Sequence, residues 1–336
     1  MQVLYLWKKS FHALSDIDIY FDKIFHRNEN EINIQNILNF LKINKIEMIL
    51  IQNPYQNEKR LSIYNYLLEN KYKVIVSDRG ALPNSWFFDS LGFNAQSDSY
   101  NCKYWDHPLS QKKEKRVINY MQNEINNEIS LEKQGARLGK TILREKLNIP
   151  QNKKILFVPL QRPSDTVIKY FSKHVKSINH FLKQIIDVQE KLQDDWVVIV
   201  KKHPLETEKF YTNSLFYVED DTHFKDLIEL CDAVTLINSG VGLISMIYKK
   251  PVYYFGDIFY SHPLINQEVK TSDELTIFLK RGSFNVNTQK VKRLISYLIE
   301  DFYSFGKFTT TEKIMDDNSK RTVTTKINFY KLILPL

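Results

Sequence analysis

Glycine, proline and cysteine are scarce in this 336-residue chain, which contains nine, ten and two of them respectively. The two cysteines, Cys102 and Cys231, have no metal-ligating neighbours in the sequence, which excludes a disulfide framework and fits a reducing cytoplasm. Apolar runs are short, and none approaches the roughly 18–20 residues that span a bilayer. The N-terminus lacks the charge order of a signal peptide. We therefore expect a cytoplasmic protein, either soluble or peripheral at the inner face of the cytoplasmic membrane.

The few glycines are concentrated in two short segments, residues 77–99 and 231–256. Those segments contain Gly80, Gly92, Gly240, Gly242 and Gly256. Glycine is needed where φ is positive or where a backbone approaches a ligand closely. Turns that bind nothing also attract glycine, but each segment begins where a hydrophobic strand is predicted to end. We therefore predict that both segments border a binding site.

The residues that are abundant indicate a globular protein with an acidic partner. Hydrophobic residues make up 43% of the chain, and its length suits two domains of about 150 residues each. The net charge of +8 and the pI near 9.1 favour a nucleotide, an anionic glycan or a membrane surface. The basic clusters at residues 112–116 and 290–293 are interrupted and carry no nucleic-acid motif, which argues against nucleic acid.

Strand and helix signals alternate along both halves of the chain. In the first half, strands at residues 47–52 and 73–77 flank a helix at 59–69, and a polar helical linker follows at 111–147. The second half has the following predicted elements: strands at 154–160, 196–201, 215–219, 233–237 and 252–255, and helices at 167–192, 224–231 and 242–248. This rhythm predicts two doubly wound Rossmann-like α/β domains facing a central cleft, the GT-B arrangement. We place them at residues 1–148, including the linker, and 149–336, including a C-terminal helical tail.

Two predicted strand ends carry groups suited to a phosphate. Lys201 and His203 alternate along V-V-I-V-K-K-H-P and therefore point to one side of the strand. The segment Asn238-Ser239-Gly240 lies between a strand and an apolar helix, where backbone N–H groups favour anions. An ordinary helix N-cap is the alternative for that segment, and the sequence favours phosphate binding.

Two aspartates are candidates for catalysis. Asp78 follows a predicted strand, where it is either a general acid or base toward an acceptor hydroxyl or a solvated turn residue paired with Arg79. Asp165 follows the first strand of the second domain. It either caps the helix that begins at Thr166, or it attacks or electrostatically stabilises an anomeric carbon.

In combination, these motifs resemble the bacterial capsular polysaccharide biosynthesis family that includes the retaining β-Kdo transferases. The matching elements are D-R-G-A-L-P, V-P-L-Q-R-P-S-D, K-K-H-P and C-D-A-V-T-L-I-N-S-G-V-G, in family order between residues 73 and 260. The resemblance implies a GT-B fold, CMP-β-Kdo as donor, no metal or cofactor, and retention of configuration. The acidic turn reads D-R-G here, where a glutamate is common in the family.

Carried over residue by residue, the resemblance also implies site roles. Asp165 would be the nucleophile and Asp78 the acid or base, while the donor would be bound by Gln161, Lys201, His203, Asn238, Ser239 and Gly240. The implied partners are a CMP-sugar and a lipid-linked or oligosaccharide acceptor of capsule or lipopolysaccharide. The first domain would then bind the acceptor and the second the nucleotide sugar.

Other functions remain open on the sequence. A sialyltransferase also uses a CMP-activated keto acid, and a glycerol-phosphate-type transferase would use a CDP-linked donor on a Kdo linker. A capsule assembly factor would bind the glycan without turnover. No Asp-x-Asp element is placed to hold a divalent cation between two phosphates, which favours CMP over UDP or GDP. The tail at residues 321–336 is basic and apolar, and we expect it either to contact an anionic membrane or to pack across the domain interface.

Overall fold

The computed structural model describes residues 1–130, 132–206, 214–282, 284–314 and 320–336. Within them the chain divides into two units. The first contains Met1–Asn101, Tyr297–Lys313 and Arg321–Leu336, and the second contains Cys102–Ser296. Within the described ranges, no helix has the length and hydropathy to cross a bilayer.

The first unit starts as an alternation of strands and helices. Its elements to residue 101 are β1 (Gln2–Leu6), β2 (Lys23–Arg27), α1 (Ile34–Ile43), β3 (Met48–Gln52), α2 (Glu58–Glu69), β4 (Val74–Arg79) and β5 (Ser85–Asp89), with 3-10 turns at Ser15–Tyr20, Asn94–Gln96 and Asp98–Tyr100. Strands β2, β1, β3 and β4 are parallel neighbours in that order, and β5 pairs antiparallel with β4. Asparagine caps begin both helices: Asn33 accepts backbone N–H groups at the start of α1, and Asn57 does so at α2.

The second unit has a six-stranded parallel sheet with helices. Its elements are α3 (Cys102–Trp105), α4 (Gln111–Asn126), α5 (Lys140–Lys146), β6 (Lys154–Pro159), α6 (Thr166–Phe171), α7 (Ile178–Leu192), β7 (Trp196–Lys201), β8 (Phe216–Tyr217), α8 (Phe224–Leu230), β9 (Ala233–Leu236), α9 (Val241–Ile247), β10 (Val252–Tyr254), β11 (Gln267–Glu268), α10 (Ser272–Arg281) and α11 (Thr288–Tyr297). The strand order is β11-β10-β9-β6-β7-β8. Because every neighbouring pair is parallel, the carboxyl ends of all six strands lie along one edge.

The core of the second unit follows from apolar spacing. In α7 the buried residues recur every three or four positions, as Ile178, Phe181, Leu182, Ile185, Val188 and Leu192. They pack in one cluster with alternate residues of β6 and β7, among them Leu156 and Val198. An amphipathic helix therefore covers one face of the sheet, as the sequence predicts.

The C-terminal segment differs from the predicted helical tail. After a π-helical turn at Leu298–Phe302, the chain forms β12 (Tyr303–Ile314) and β13 (Lys320–Lys331). Strand β12 pairs antiparallel with β5, with Tyr303 opposite Phe87, and both strands extend the first unit's sheet. Ile327 of β13 is fully buried in that unit's core. Residues 297–313 and 321–336 thus return to the first unit and do not belong with residues 149–296.

The structure also divides the chain earlier than the predicted boundary after residue 148. The segment from Cys102 belongs to the second unit because α4 is fixed to α8 there. The fully buried Lys225 of α8 pairs with Glu124 of α4 at 2.7 Å and donates to the Glu124 carbonyl at 2.9 Å. Arg137, in the loop that follows, pairs with Asp226 of α8 at 2.8 Å. These polar contacts join segments about a hundred residues apart, a distance at which sequence patterns carry no signal.

The helix predicted at residues 167–192 is two helices, α6 and α7. Lys173 between them has a φ of 49°, in the left-handed region that ends a right-handed helix. Ser177 then begins α7, since its side chain accepts the backbone N–H of His180. The linker predicted as helical is likewise interrupted between α4 and α5.

Candidate functional site

Three adjacent strands of the second unit bring seven of the predicted site residues to one sheet edge. Strand β6 lies between β7 and β9, so the segments that follow these strands are neighbours. The backbone N–H of Leu160 donates to the Lys201 carbonyl at 2.9 Å, which continues the β6–β7 pairing beyond both strands. The residues at this edge are Gln161 and Asp165 after β6, Lys201 and His203 at the end of β7, and Asn238, Ser239 and Gly240 after β9.

Gln161 and Asn238 hold the segments after β6 and β9 together. The Gln161 amide donates to Asn238 Oδ1 at 2.9 Å, and its oxygen accepts the Asn238 backbone N–H at 3.2 Å. Asn238 Nδ2 donates to the carbonyls of Val167 and Phe171 in α6, at 2.8 and 3.0 Å. Both side chains are buried. The pair is thus part of the scaffold of the site, and its contact with a donor stays a prediction.

His203 presents a neutral imidazole. Its Nδ1 accepts the backbone N–H of Leu205 at 3.1 Å, so the neutral ring carries its hydrogen on Nε2. Burial, together with the positive charges of Arg162 and Lys201, lowers the pKa of His203 to about 4. At neutral pH the ring therefore offers one N–H donor from Nε2.

Lys201 is a buried amine beside that imidazole. Burial lowers the pKa of Lys201 to about 8, although the charges of Asp220 and Asp221 oppose the shift. Its Nζ donates to the Asp220 carbonyl at 2.8 Å, and the adjacent Lys202 pairs with the Asp220 carboxylate at 3.0 Å. Lys201 is thus mostly protonated at pH 7 and has further N–H donors for an anion.

Asp165 does not cap α6, although it occupies the N-cap position. Its carboxylate accepts the backbone N–H of Arg162 at 3.1 Å, and its own N–H donates to the Arg162 carbonyl at 3.0 Å. Residues 162–165 therefore form a tight turn that fixes the Asp165 carboxylate at the sheet edge. Of the two alternatives left by the sequence, simple capping does not describe this geometry.

Ser239 and Gly240 precede α9, as predicted. Ser239 Oγ accepts the N–H of Val241 at 3.2 Å, and Tyr260 donates its hydroxyl to the Ser239 carbonyl at 2.5 Å. The nearby glycines pack against protein atoms: a Cβ on Gly242 would lie 2.2 Å from the Tyr260 hydroxyl, and one on Gly256 would lie 2.7 Å from the Phe171 carbonyl. Close packing within the unit explains these two glycines, and their predicted role at a ligand is not needed.

Asp78 lies in the first unit, at the end of β4. Burial raises its pKa to about 6, and hydrogen bonds from the Arg79 backbone and the Asn53 side chain oppose that shift. Asn53 follows β3, the parallel neighbour of β4, with a φ of 39°. The carboxyl end of this sheet thus carries an acid that exchanges its proton near neutral pH, in contrast to a solvated turn aspartate.

Comparison with protein families identifies the family of this chain. The sequence profile of the capsule polysaccharide biosynthesis proteins matches residues 103–281, more than half of the chain. The chain belongs to this family. The matched segment contains every predicted site residue of the second unit, whereas Asp78 lies outside the segment. No curated protein sequence matches the chain significantly.

Two solved structures of KpsC from Thermosulfurimonas dismutans are similar to this chain in fold. The one described as a β-Kdo 2,7 transferase has a TM-score of 0.59 at 16% identity, covering 96% of this chain and 95% of that chain. The one described as a β-Kdo 2,4 transferase has a TM-score of 0.62 at 11% identity, with the same coverage. The GT-B fold class predicted from the sequence is confirmed.

The sequence analysis did not single out one further residue at this sheet edge, Arg162. It follows Gln161 directly and its charge acts on His203. The residue is only 7% exposed, and its Nε is buried without a hydrogen-bond partner in the described part of the chain. The V-P-L-Q-R-P-S-D segment contained it, but an arginine beside a proline in a turn has no periodic signal to distinguish it from a surface residue.

Proposed function

We propose that the protein is a glycosyltransferase that transfers Kdo from CMP-β-Kdo to a capsule or lipopolysaccharide glycan, with retention of configuration and without a metal. The observation that supports this most is the sheet edge of the second unit. There the Asp165 carboxylate, which does not cap α6, lies at the same edge as Lys201 and His203. Anion-binding groups and a carboxylate nucleophile are what a metal-free transfer from a phosphate-linked sugar requires. Membership of the capsule biosynthesis family supports the same reading.

In the proposed first step, Lys201 and the Nε2–H of His203 bind the CMP phosphate, with Ser239 as a further contact. A carboxylate oxygen of Asp165 forms a bond to the anomeric carbon while the bond from that carbon to the phosphate oxygen breaks. CMP leaves with the bonding electron pair. The sugar is then covalently held as an ester of Asp165.

In the second step, the acceptor hydroxyl attacks the same carbon and releases the Asp165 carboxylate. A general base takes the hydroxyl proton, and we propose Asp78 for this role because its pKa of about 6 suits it. Two displacements at one carbon restore the starting configuration. We assign the acceptor, lipid-linked or oligosaccharide, to the first unit on this basis, and contact with an anionic membrane stays a prediction.

The proposal is tested by incubating the protein with a Kdo-terminated oligosaccharide and each of three donors: CMP-Kdo generated in situ, CMP-sialic acid, and CDP-glycerol. Products are resolved by mass spectrometry and their anomeric configuration by NMR. A β-linked Kdo product supports the proposal. Transfer of sialic acid or glycerol phosphate alone would replace it with the corresponding alternative. Absence of any product together with absence of CMP binding would favour an assembly factor.

A further inference from the structure

Arg162 is a buried cation without a counter-ion in the described part of the chain. Its side chain forms no ion pair there, and its Nε has no hydrogen-bond partner. A buried charge without a partner strongly destabilises a folded protein. A buried, unpaired arginine at the edge of a candidate site indicates that an anionic ligand binds there and neutralises its charge.

The backbone fixes Arg162 to the candidate nucleophile. Arg162 and Asp165 exchange two hydrogen bonds across their turn, at 3.0 and 3.1 Å, so both residues are positioned by the same four-residue segment. On the neighbouring strand, Lys201 lies opposite Pro159 in register, which places His203 two residues further along the same edge. Lys201 and Arg162 are therefore two separate cations at this edge, and Arg162 is the one fixed in the same turn as Asp165.

A keto-acid sugar supplies a second negative charge at the right atom. In such sugars a carboxylate is attached directly to the anomeric carbon, the carbon that Asp165 attacks in the proposed mechanism. A guanidinium matches a carboxylate with two parallel N–H donors, which an ammonium or an imidazole does not provide. Lys201 and His203 suit the phosphate oxygens, and Arg162, fixed next to Asp165, suits the carboxylate.

We infer that Arg162 binds the carboxylate of a nucleotide-activated 2-keto acid sugar and selects such donors over sugars that lack the carboxylate. The inference rests on the proposed function and adds the residue that determines donor class. Since CMP itself lacks this carboxylate, Arg162 contributes to binding of the whole donor and not to binding of CMP.

Arg162→Gln and Arg162→Lys test this by comparing CMP affinity, measured by calorimetry, with kcat/KM for CMP-Kdo. We expect kcat/KM to fall roughly 10- to 100-fold in Arg162→Gln and less in Arg162→Lys, with the Kd of CMP within about 3-fold of wild type. Arg281→Gln, at the exposed end of α10, is the charge-matched control and leaves both unchanged. An equal loss of CMP affinity would make Arg162 a phosphate ligand, and unchanged kcat/KM would remove it from the site.

Thermal unfolding separates this role from a structural one. Removing an uncompensated buried charge leaves the Tm of ligand-free Arg162→Gln equal to or above that of wild type, whereas loss of a structural arginine lowers it. A lower Tm accompanied by parallel losses in CMP and CMP-Kdo binding would overturn the inference. Failure of wild-type protein to bind CMP at all would instead overturn the proposed function, from which the inference follows.

Discussion

Burial has opposite chemical consequences at the carboxyl ends of the two sheets. In the first unit it raises the pKa of the Asp78 carboxyl to about 6, so an acid keeps its proton close to neutrality. In the second it lowers the pKa of His203 to about 4 and that of Lys201 to about 8, so bases lose protons more readily. In each case the desolvated charged form is penalised.

The difference separates proton exchange from anion binding. Asp78 changes its charge within the range in which an enzyme works, which suits a general base. His203 stays neutral across that range and Lys201 stays mostly charged below pH 8, so the second edge presents a constant set of donors. Desolvation thus suits the first sheet edge, which carries an acid, to proton exchange, and the second, which carries bases, to anion binding.

The largest effect is expected from Asp78→Asn. It removes the proposed general base, so transfer to the acceptor should slow by about 10²- to 10⁴-fold while the Kd of CMP is unchanged. In wild type the transfer rate should rise with pH through about 6, because the base acts when deprotonated, and this rise should be absent in the variant. A pH–rate profile from pH 5 to 8 measures both.

A matched control for that variant is Asp89→Asn. Burial also raises the pKa of Asp89, but its carboxylate is held by the hydroxyls of Ser97 and Ser99. We expect this variant to lose stability and keep the pH dependence of transfer. Equal rate losses in both variants would show that Asp78 is not the general base.

The stability of Asp78→Asn gives a second pH signature. The folded-state pKa of Asp78 is raised above its unfolded value, so the folded state loses stability as pH rises from about 4 to about 6. Replacing the ionisable group removes that loss. The difference in Tm between Asp78→Asn and wild type should therefore be more positive at pH 7.5 than at pH 4. A difference independent of pH would contradict the raised pKa.

Asn238→Ala should mainly destabilise the second unit. It leaves the buried carbonyls of Val167 and Phe171 and the amide of Gln161 without their partners, at a cost of about 2–4 kcal/mol in the free energy of unfolding. Chemical denaturation measures this. If stability is kept while CMP binding is lost, Asn238 is a donor ligand and its scaffold role is secondary.

His203→Ala should weaken CMP binding by about 10-fold, since the proposed N–H donor to the phosphate is lost. His203→Gln, which retains a side-chain N–H, should recover part of the affinity, and His107→Ala, at an exposed His-Pro pair, should have no effect. Because His203 stays neutral, wild-type affinity should be nearly constant between pH 6 and 7 and fall as pH rises through about 8, where Lys201 loses its proton. Affinity that rises as pH falls from 7 to 6 would indicate a charged His203.

The smallest effect is expected from Ser239→Ala. The loss of its hydrogen bond with the Val241 N–H should cost about 0.5–1 kcal/mol in stability and reduce CMP affinity by no more than a few fold. Calorimetry with CMP decides whether the hydroxyl contacts the phosphate. A loss as large as that in His203→Ala would move the phosphate site toward β9.

The sequence predicted the local features and missed the distant ones. Strand ends such as Lys201–His203 and Asn238–Gly240 could be placed because hydrophobic periodicity marks where a strand stops, and parallel order then groups them. The return of β12 to β5 could not, since pairing between residues about two hundred positions apart leaves no periodic trace. Arg162 was missed for a different reason: we infer its role from burial without a partner in the described part of the chain, which only the folded structure shows.

Intact-protein mass spectrometry after incubation with in situ-generated CMP-Kdo, without acceptor, tests the central claim most directly. Wild type should gain the mass of one Kdo residue, and so should His203→Ala at higher donor concentration. Asp165→Asn should gain none while it still binds CMP. Absence of the adduct from wild type that binds CMP, or its persistence in Asp165→Asn, would contradict the assignment of Asp165 as the nucleophile of a retaining transfer.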